Sequence, residues 1–172
     1  LGKYQLLDRL GTSGLATVYR ARDTSTNDTL TLKVLHAYFF GEADLLIKFT
    51  STVSQVKELN HTNIVPVHGI ERDGELAAVV MDYVPWPNLK ARDRVKLPLN
   101  EVARILHQVG TALEYAHARG IVHRDLRPSN VFYDPESGRV MVSDFGIITL
   151  VEGGHVLLRS TVNTPAPSYA AP

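Results

Sequence analysis

The stretch IVHRDLRPSNVFYDPESGRVMVSDFG, residues 121–146, decides the fold of this chain. Two short apolar runs within it, VFY at 131–133 and VMV at 140–142, are typical of brief strands. The residues between them, DPESG at 134–138, favour a turn. The stretch therefore predicts a strand–turn–strand hairpin with a polar loop on either side.

Polar side chains flank the predicted hairpin. Asp125 and Asn130 precede its first strand, and Asp144 follows its second strand. Because the two strands run side by side, the hairpin would bring these two carboxylates and one amide towards the same small volume. All three groups offer hard oxygen atoms, which suit Mg²⁺ and a hydroxyl group that is about to lose its proton.

Two motifs in the stretch carry a family resemblance. Residues 123–130, HRDLRPSN, resemble the catalytic loop of eukaryotic-type, bacterial-like Ser/Thr protein kinases, and residues 144–146, DFG, resemble their metal-binding motif. The resemblance implies an α+β, protein kinase-like fold. Its small lobe would be a five-stranded antiparallel sheet plus one helix, followed by the first part of a mainly helical large lobe. The expected boundaries are 1–82 for the small lobe, 83–87 for the hinge, and 88–172 for a partial large lobe with the catalytic loop and activation segment.

The composition of the 172 residues is that of a globular protein, with 44% hydrophobic and 21% charged residues. The formal net charge of zero gives no reason to expect nucleic acid or an anionic membrane as a partner. No apolar run approaches the length of a membrane span, and the absence of cysteine excludes disulfides. We therefore expect a cytoplasmic location, as a domain or as the cytoplasmic part of a longer protein. The oligomeric state and the protein substrate stay open.

The end of the chain resembles a kinase activation segment. Residues 147–169 include Ser160 and Thr161, and a phosphate on either would pair with Arg124. The final AAP, at 170–172, falls where the family carries Ala-Pro-Glu. We therefore expect a piece of a longer Ser/Thr protein kinase. By itself this piece should transfer phosphate poorly or not at all, because the remaining large-lobe helices would support the catalytic loop.

The predicted small lobe begins with strands at 4–10 and 17–22 around the loop GTSGLA at 11–16. This loop resembles the kinase glycine-rich loop, in which missing side chains let backbone N–H groups approach the ATP phosphates. The match is degraded, because Ser13 and Ala16 stand in place of the second and third glycines. Their small side chains still permit a close approach.

The third predicted strand, LTLK, ends at Lys33 and resembles the motif whose lysine holds the α- and β-phosphates. Thr31 replaces the usual alanine above the adenine, which would narrow that space. The helix predicted at 42–59 has apolar residues at helical spacing. Thr52 occupies the position of the glutamate that pairs with the lysine in active kinases. Gln55, one turn later, offers an amide oxygen without a charge.

Two further strands are predicted at 64–70 and 76–82, joined by a turn at 72–74. Met81 resembles the gatekeeper residue of the adenine site, and residues 82–84 resemble the hinge whose backbone hydrogen-bonds adenine.

A long helix is predicted at 100–119, with Asn100 as its N-cap and Gly120 as its stop. Its predicted core stripe consists of Val102, Ile105, Leu106, Val109 and Leu113. This stripe carries no chemistry, and the helix would support the catalytic loop.

The resemblance also implies roles for individual residues. Asp125 would orient the substrate hydroxyl and accept its proton, while Asn130 and Asp144 would hold Mg²⁺. Lys33 would grip the ATP phosphates, and Arg127 would stand beside the γ-phosphate, where the family usually has a lysine. The expected nucleotide contacts are Leu10, Gly11, Ser13, Gly14, Val18, Thr31, Lys33, Met81, Asp82, Val84 and Phe132. ATP and Mg²⁺ are thus the expected cofactors.

Two alternatives stay open at this point. Thr52 and the degraded glycine-rich loop favour a pseudokinase, meaning a nucleotide-binding or scaffolding module with little or no transfer. The retained lysine, asparagine and both aspartates oppose it. The other alternative is a small-molecule phosphotransferase of related fold. Such proteins usually lack an arginine before the catalytic aspartate, so Arg124 counts against this reading.

Overall fold

The computed structural model describes residues 1–12, 16–36, 43–74, 76–92 and 96–146. Within this part the chain forms two compact units. The first consists of residues 1–58 and 66–83, and the second of residues 59–65 and 84–146. The second unit thus includes 59–65, which the sequence-based division assigned to the small lobe. That division of the chain into lobes stays a prediction.

The first unit is a five-stranded sheet with one α-helix, α1 (Ala43–Lys57). Its strands are β1 (Tyr4–Thr12), β2 (Ala16–Asp23), β3 (Thr29–Leu35), β4 (Val67–Asp73) and β5 (Leu76–Asp82). The strand order is β1-β2-β3-β5-β4, and every neighbouring pair is antiparallel. This architecture confirms the α+β fold class expected from the sequence.

The core of the first unit follows from the apolar pattern of its elements. Strand β5, LAAVVMD, is buried along most of its length because it lies between β3 and β4. Helix α1 buries Phe49, Val53 and Val56, which recur at helical spacing as predicted.

The predicted start of the fourth strand was wrong. Strand β4 begins at Val67, whereas Ile64 makes only an isolated bridge to Val142 in the second unit. The reason is a competing partner, since Val65 donates its backbone N–H to the Val142 carbonyl at 2.9 Å. The turn predicted at 72–74 is also shorter than expected, because β4 continues through Asp73.

The second unit contains helix α2 (Leu99–His117) and a two-stranded sheet of β6 (Val131–Tyr133) and β7 (Val140–Val142). Two single-turn 3-10 helices lie at Leu89–Arg92 and Pro128–Asn130. The bounds of both short strands agree with those predicted from the sequence.

The ends of α2 differ from the prediction. Asn100 is not the N-cap, because the helix begins one residue earlier and Pro98 occupies the cap position. The Pro98 carbonyl accepts hydrogen bonds from the N–H groups of Glu101 and Val102, at 3.0 and 3.1 Å. At the other end, Gly120 has a φ of +74° and follows the last helical turn, as a stop signal requires.

The predicted core stripe of α2 was wrong at Leu106. Leu106 is 65% exposed, so it is not a core residue among the described parts of the second unit. The buried positions are Ile105, Val109, Ala112 and Ala116, which lie on one face at spacings of three and four residues. The prediction chose Leu106 because leucine is more hydrophobic than alanine. The face that packs closely instead carries the small residues Ala112 and Ala116.

No α-helix in the described ranges is long and apolar enough to cross a membrane.

Candidate active site

The loop before the hairpin is anchored by a buried histidine. His123 is 2% exposed, and its ring lies 4.6 Å from that of Phe145, measured between centroids. Its Nδ1 accepts a hydrogen bond from the Asp125 N–H at 3.3 Å, and its carbonyl accepts one from the Gly146 N–H at 3.2 Å. Burial lowers the pKa of His123 although the Asp144 carboxylate opposes this, so the neutral ring can act as the acceptor.

Asn130 fixes the orientation of the candidate base. Its Nδ2 donates to the Asp125 carbonyl at 2.9 Å and to Asp125 Oδ2 at 3.2 Å. Asn130 is only 7% exposed, and its own carbonyl accepts from the Ser143 N–H at 2.9 Å. This contact joins the loop to the residue that precedes Asp144. Arg127 Nη1 lies 3.9 Å from Asp125 Oδ1, a partly exposed ion pair that contributes little stability.

Two residues near these groups have unusual backbone conformations. Arg124 has a φ of +64° and Asp144 a φ of +66°, both in the left-handed region that non-glycine residues rarely adopt. Such positions cost free energy and cluster at functional sites. Strand β7 ends at Val142, and the backbone turns into the left-handed region two residues later, at Asp144.

The donor groups fit a magnesium ion. Because Asn130 Nδ2 is committed to Asp125, its Oδ1 faces the other way, where Ser129 Oγ is its described contact at 3.3 Å. Asp144 adds a carboxylate. No group of three or more His, Cys, Asp or Glu side chains suited to a metal occurs in the ranges that the structure covers. A protein site with few ligands suits Mg²⁺, which usually keeps several waters and binds substrate phosphates.

The strand register of the first unit gathers several predicted nucleotide contacts on one face of the sheet. Gly11 pairs with Val18, which pairs with Lys33, and Thr31 pairs with Met81 on the next strand. Residues opposite each other in antiparallel strands share a face, and so do residues two apart in one strand. These five residues therefore lie on the same face. Thr31 and Met81 are both buried.

The position expected for the helix glutamate lies on the same side of α1 as its buried residues. Thr52 is half-buried, one turn after Phe49 and one turn before Val56. Gln55, in contrast, is exposed.

The remaining predicted residues are spread over both units. In the first unit, Leu10 is exposed on β1, and Asp82 ends β5 with its Oδ1 2.7 Å from His68 Nε2. In the second unit, Val84 is buried and Phe132 is half-buried on β6. Four predicted positions lie outside the described residues: Ser13, Gly14, Ser160 and Thr161.

Sequence reasoning missed two polar residues beside the hairpin, Asn63 and Gln108. Gln108 donates to the Gly138 carbonyl, and its Oε1 accepts from the Val140 N–H. One signal was available, because Gln108 lies a turn away from the core residue Ile105 on the packed side of α2. A polar residue at such a place needs hydrogen-bond partners.

Comparison with known proteins assigns the class. The fold, the loop with its positioned aspartate and the DFG turn define a protein kinase domain of the Ser/Thr type. Residues 4–172 match the family described as "Protein kinase domain", and the chain belongs to that family.

The chain is similar to bacterial Ser/Thr protein kinases. It is 37% identical to the serine/threonine-protein kinase PkaA of Streptomyces coelicolor, over 99% of this chain and 34% of that protein. It is 33% identical to Pkn1 of Myxococcus xanthus, over 99% of this chain and 25% of that protein. The chain thus spans about a third or less of these two relatives.

The fold is also similar to that of a solved kinase domain. The crystal structure of the PknI kinase domain of Mycobacterium tuberculosis matches with a TM-score of 0.73 and 29% identity. The match covers 90% of this chain and 67% of that one. The curated relatives are Ser/Thr protein kinases, members of a transferase family that uses ATP and Mg²⁺. Nothing in the comparisons favours the pseudokinase alternative.

Proposed function

We propose that the full-length protein containing this chain transfers the γ-phosphate of ATP to serine and threonine hydroxyls of proteins, and that Asp125 is the catalytic base. The observation that carries this proposal is the pair of hydrogen bonds from Asn130 Nδ2 to the carbonyl and carboxylate of Asp125. A base must be held within hydrogen-bond reach of the proton that it accepts.

In the proposed reaction the substrate hydroxyl oxygen forms a bond to the γ-phosphorus. The bond from that phosphorus to the bridging oxygen breaks, and ADP leaves. The hydroxyl proton moves to a carboxylate oxygen of Asp125. Asn130 uses one oxygen of that carboxylate, Oδ2, which leaves Oδ1 to face the substrate hydroxyl and, at 3.9 Å, Arg127.

Asn130 Oδ1 and the Asp144 carboxylate are the proposed ligands of Mg²⁺. When bound, the ion neutralises charge on the transferring phosphates. The support is the donor chemistry described above together with the anchoring of the loop by buried hydrogen bonds. Ser143, just before Asp144, is tied to the Asn130 carbonyl at 2.9 Å, so the backbone that carries one ligand is attached to the other.

Lys33 and Arg127 are the proposed cations for the phosphates. Lys33 lies on the sheet face that also carries Val18 and Thr31, two proposed adenine contacts. Arg127 would replace the usual lysine near the γ-phosphate. Its planar guanidinium keeps the charge but binds two oxygen atoms side by side, unlike a compact ammonium group. The other proposed nucleotide contacts are Leu10, Gly11, Ser13, Gly14, Met81, Asp82, Val84 and Phe132.

Thermal unfolding of the full-length protein with ATP, with and without Mg²⁺, tests this assignment. A ligand at a hundred times its Kd raises the free energy of unfolding by about 2.7 kcal/mol, which corresponds to a Tm increase of about 5–10 °C. Asp144→Ala should remove the Mg²⁺-dependent part of that shift. The matched control is Glu136→Ala, which removes an exposed carboxylate from the same hairpin. No nucleotide-induced shift in the wild-type protein at millimolar ATP would contradict the proposal.

A further inference from the structure

Strand β7 pairs with β6 along one edge. Its opposite edge, which we call the outer edge, is also fully hydrogen-bonded. The Val140 N–H donates to Gln108 Oε1 at 3.0 Å, and the Val140 carbonyl accepts from Asn63 Nδ2 at 2.8 Å. The Val142 N–H donates to the Asn63 carbonyl at 2.8 Å, and the Val142 carbonyl accepts from the Val65 N–H at 2.9 Å. Segment 59–65 and two side-chain amides thus stand where a third strand would pair.

The side-chain amides of Gln108 and Asn63 are hydrogen-bonded to each other and to β7. Gln108 Oε1 accepts from Asn63 Nδ2 at 2.8 Å as well as from the Val140 N–H. Gln108 Nε2 donates to the Gly138 carbonyl at 2.8 Å, just before β7 begins. One planar amide therefore ties helix α2, segment 59–65 and the hairpin together. Few side chains can replace this amide, because its Nε2 donates a hydrogen bond and its Oε1 accepts two.

Helix α2 holds segment 59–65 at a second point, Tyr115, which makes no hydrogen bond to the hairpin within the part of the chain that the structure describes. Tyr115 lies two turns after Gln108 on α2, and its hydroxyl accepts from the Asn60 N–H at 3.3 Å. Its ring also lies 5.0 Å from that of His61. The two attachments differ in one respect, since only Gln108 also bonds to the hairpin.

Asp144 lies just beyond this edge, and the preceding residue, Ser143, donates its N–H to the Asn130 carbonyl at 2.9 Å. Asp144 follows Val142 by two residues and turns into the left-handed region, so no regular strand holds it beyond β7. Strand β7 has only three residues, and a two-stranded ribbon of that length is marginal without further contacts. We infer that Gln108 is a positioning residue for Asp144, acting through the outer edge of β7. This inference rests on the proposed role of Asp144 as a Mg²⁺ ligand.

Magnesium titration of ATP binding to the full-length protein tests the inference. Changes to groups that hold a ligand in place typically weaken metal affinity by about 10–100-fold. Gln108→Ala should therefore raise the half-saturating Mg²⁺ concentration by about tenfold, with metal-free ATP binding unchanged. Gln108→Glu keeps an oxygen for Val140 and Asn63 but loses the donor to the Gly138 carbonyl, so it should recover part of the affinity. Amide hydrogen exchange at Val140 should become faster in Gln108→Ala and remain slow in the wild type.

Tyr115→Phe is the matched control, because it removes the hydrogen bond of the other attachment, keeps the ring beside His61 and does not touch the hairpin. It should lower the Tm but leave the Mg²⁺ titration unchanged. An unchanged titration in folded Gln108→Ala, or an equal shift in Tyr115→Phe, would overturn the inference.

If Gln108→Ala does not fold, Gln108→Met and Gln108→Glu provide the test. Equal Mg²⁺ affinities in these two variants would overturn the inference, and a weaker affinity in Gln108→Met would support it. Failure of the proposed function looks different, because the wild-type protein itself would then show no Mg²⁺-dependent ATP binding, which would overturn both.

Discussion

Replacing Asn130 by alanine should loosen the catalytic loop by an amount that follows from its contacts. The change removes one hydrogen bond to the Asp125 carbonyl and one to its carboxylate, at 2.9 and 3.2 Å. A hydrogen bond between neutral groups contributes about 0.5–1.5 kcal/mol, and one to a charged group about 1.5–3 kcal/mol. Because the Asp125 carboxylate is partly exposed, we expect a total near the lower end, about 2–3 kcal/mol.

Thermal unfolding without nucleotide measures this loss. For a domain of this size, the expected decrease in Tm is about 4–12 °C. Asn130→Asp keeps an oxygen for the metal but replaces the donor by a second carboxylate facing Asp125. It should therefore destabilise at least as much as the alanine variant. Ser129→Ala, which removes the neighbouring hydroxyl, is the control and should change little. A Tm for Asn130→Ala within the error of wild type would refute the claim that these two bonds hold the loop.

Two further changes probe the first unit. Thr52→Glu should raise the transfer rate of the full-length protein by about ten- to a hundredfold, because a carboxylate there can pair with Lys33 and misplacement by about 1 Å can cost a hundredfold. The control is Thr52→Gln, and a measurable wild-type rate that Thr52→Glu leaves unchanged would count against the expected role of this helix position. Ser25→Ala should lower stability at neutral pH, because hydrogen bonds from the Ser25 hydroxyl and backbone N–H hold the pKa of buried Asp23 at about 2, below its ordinary value of 3.8, and alanine keeps only the backbone bond. That stabilisation is fully present above pH 3.8 and is lost as the pH falls through about 2, so the difference in urea unfolding between the two proteins should shrink over that range; a difference as large at pH 2 as at pH 7 would contradict it.

The hairpin was predictable because its signals are local. Val-Phe-Tyr forms the first short strand and Val-Met-Val the second, and the turn ends at Gly138, whose φ of +71° suits glycine. The expectation that five strands form one antiparallel sheet came instead from the family resemblance. Local pattern gives strands but does not say which of them pair.

What the sequence did not reveal depends on contacts between distant residues. The start of β4 was misplaced because residues 64–65 bind Val142, about eighty positions away in the chain. Leu106 was misassigned because its exposure depends on which face of α2 the hairpin covers. Gln108 was overlooked for the same reason, since its partners at 138 and 140 lie on another element. None of these contacts leaves a periodic trace in the sequence.

In the proposed function, Asp125 acts on the substrate hydroxyl and not on nucleotide binding. The most direct measurement compares Asp125→Asn with the wild-type full-length protein in two assays, Mg²⁺-dependent ATP binding and phosphate transfer to a protein substrate. We predict that ATP binding stays nearly unchanged while transfer falls by about 10²–10⁴-fold, the usual contribution of a positioned base. Parallel loss of binding and transfer, or transfer at the wild-type rate in Asp125→Asn, would contradict the proposed role of Asp125 as the base.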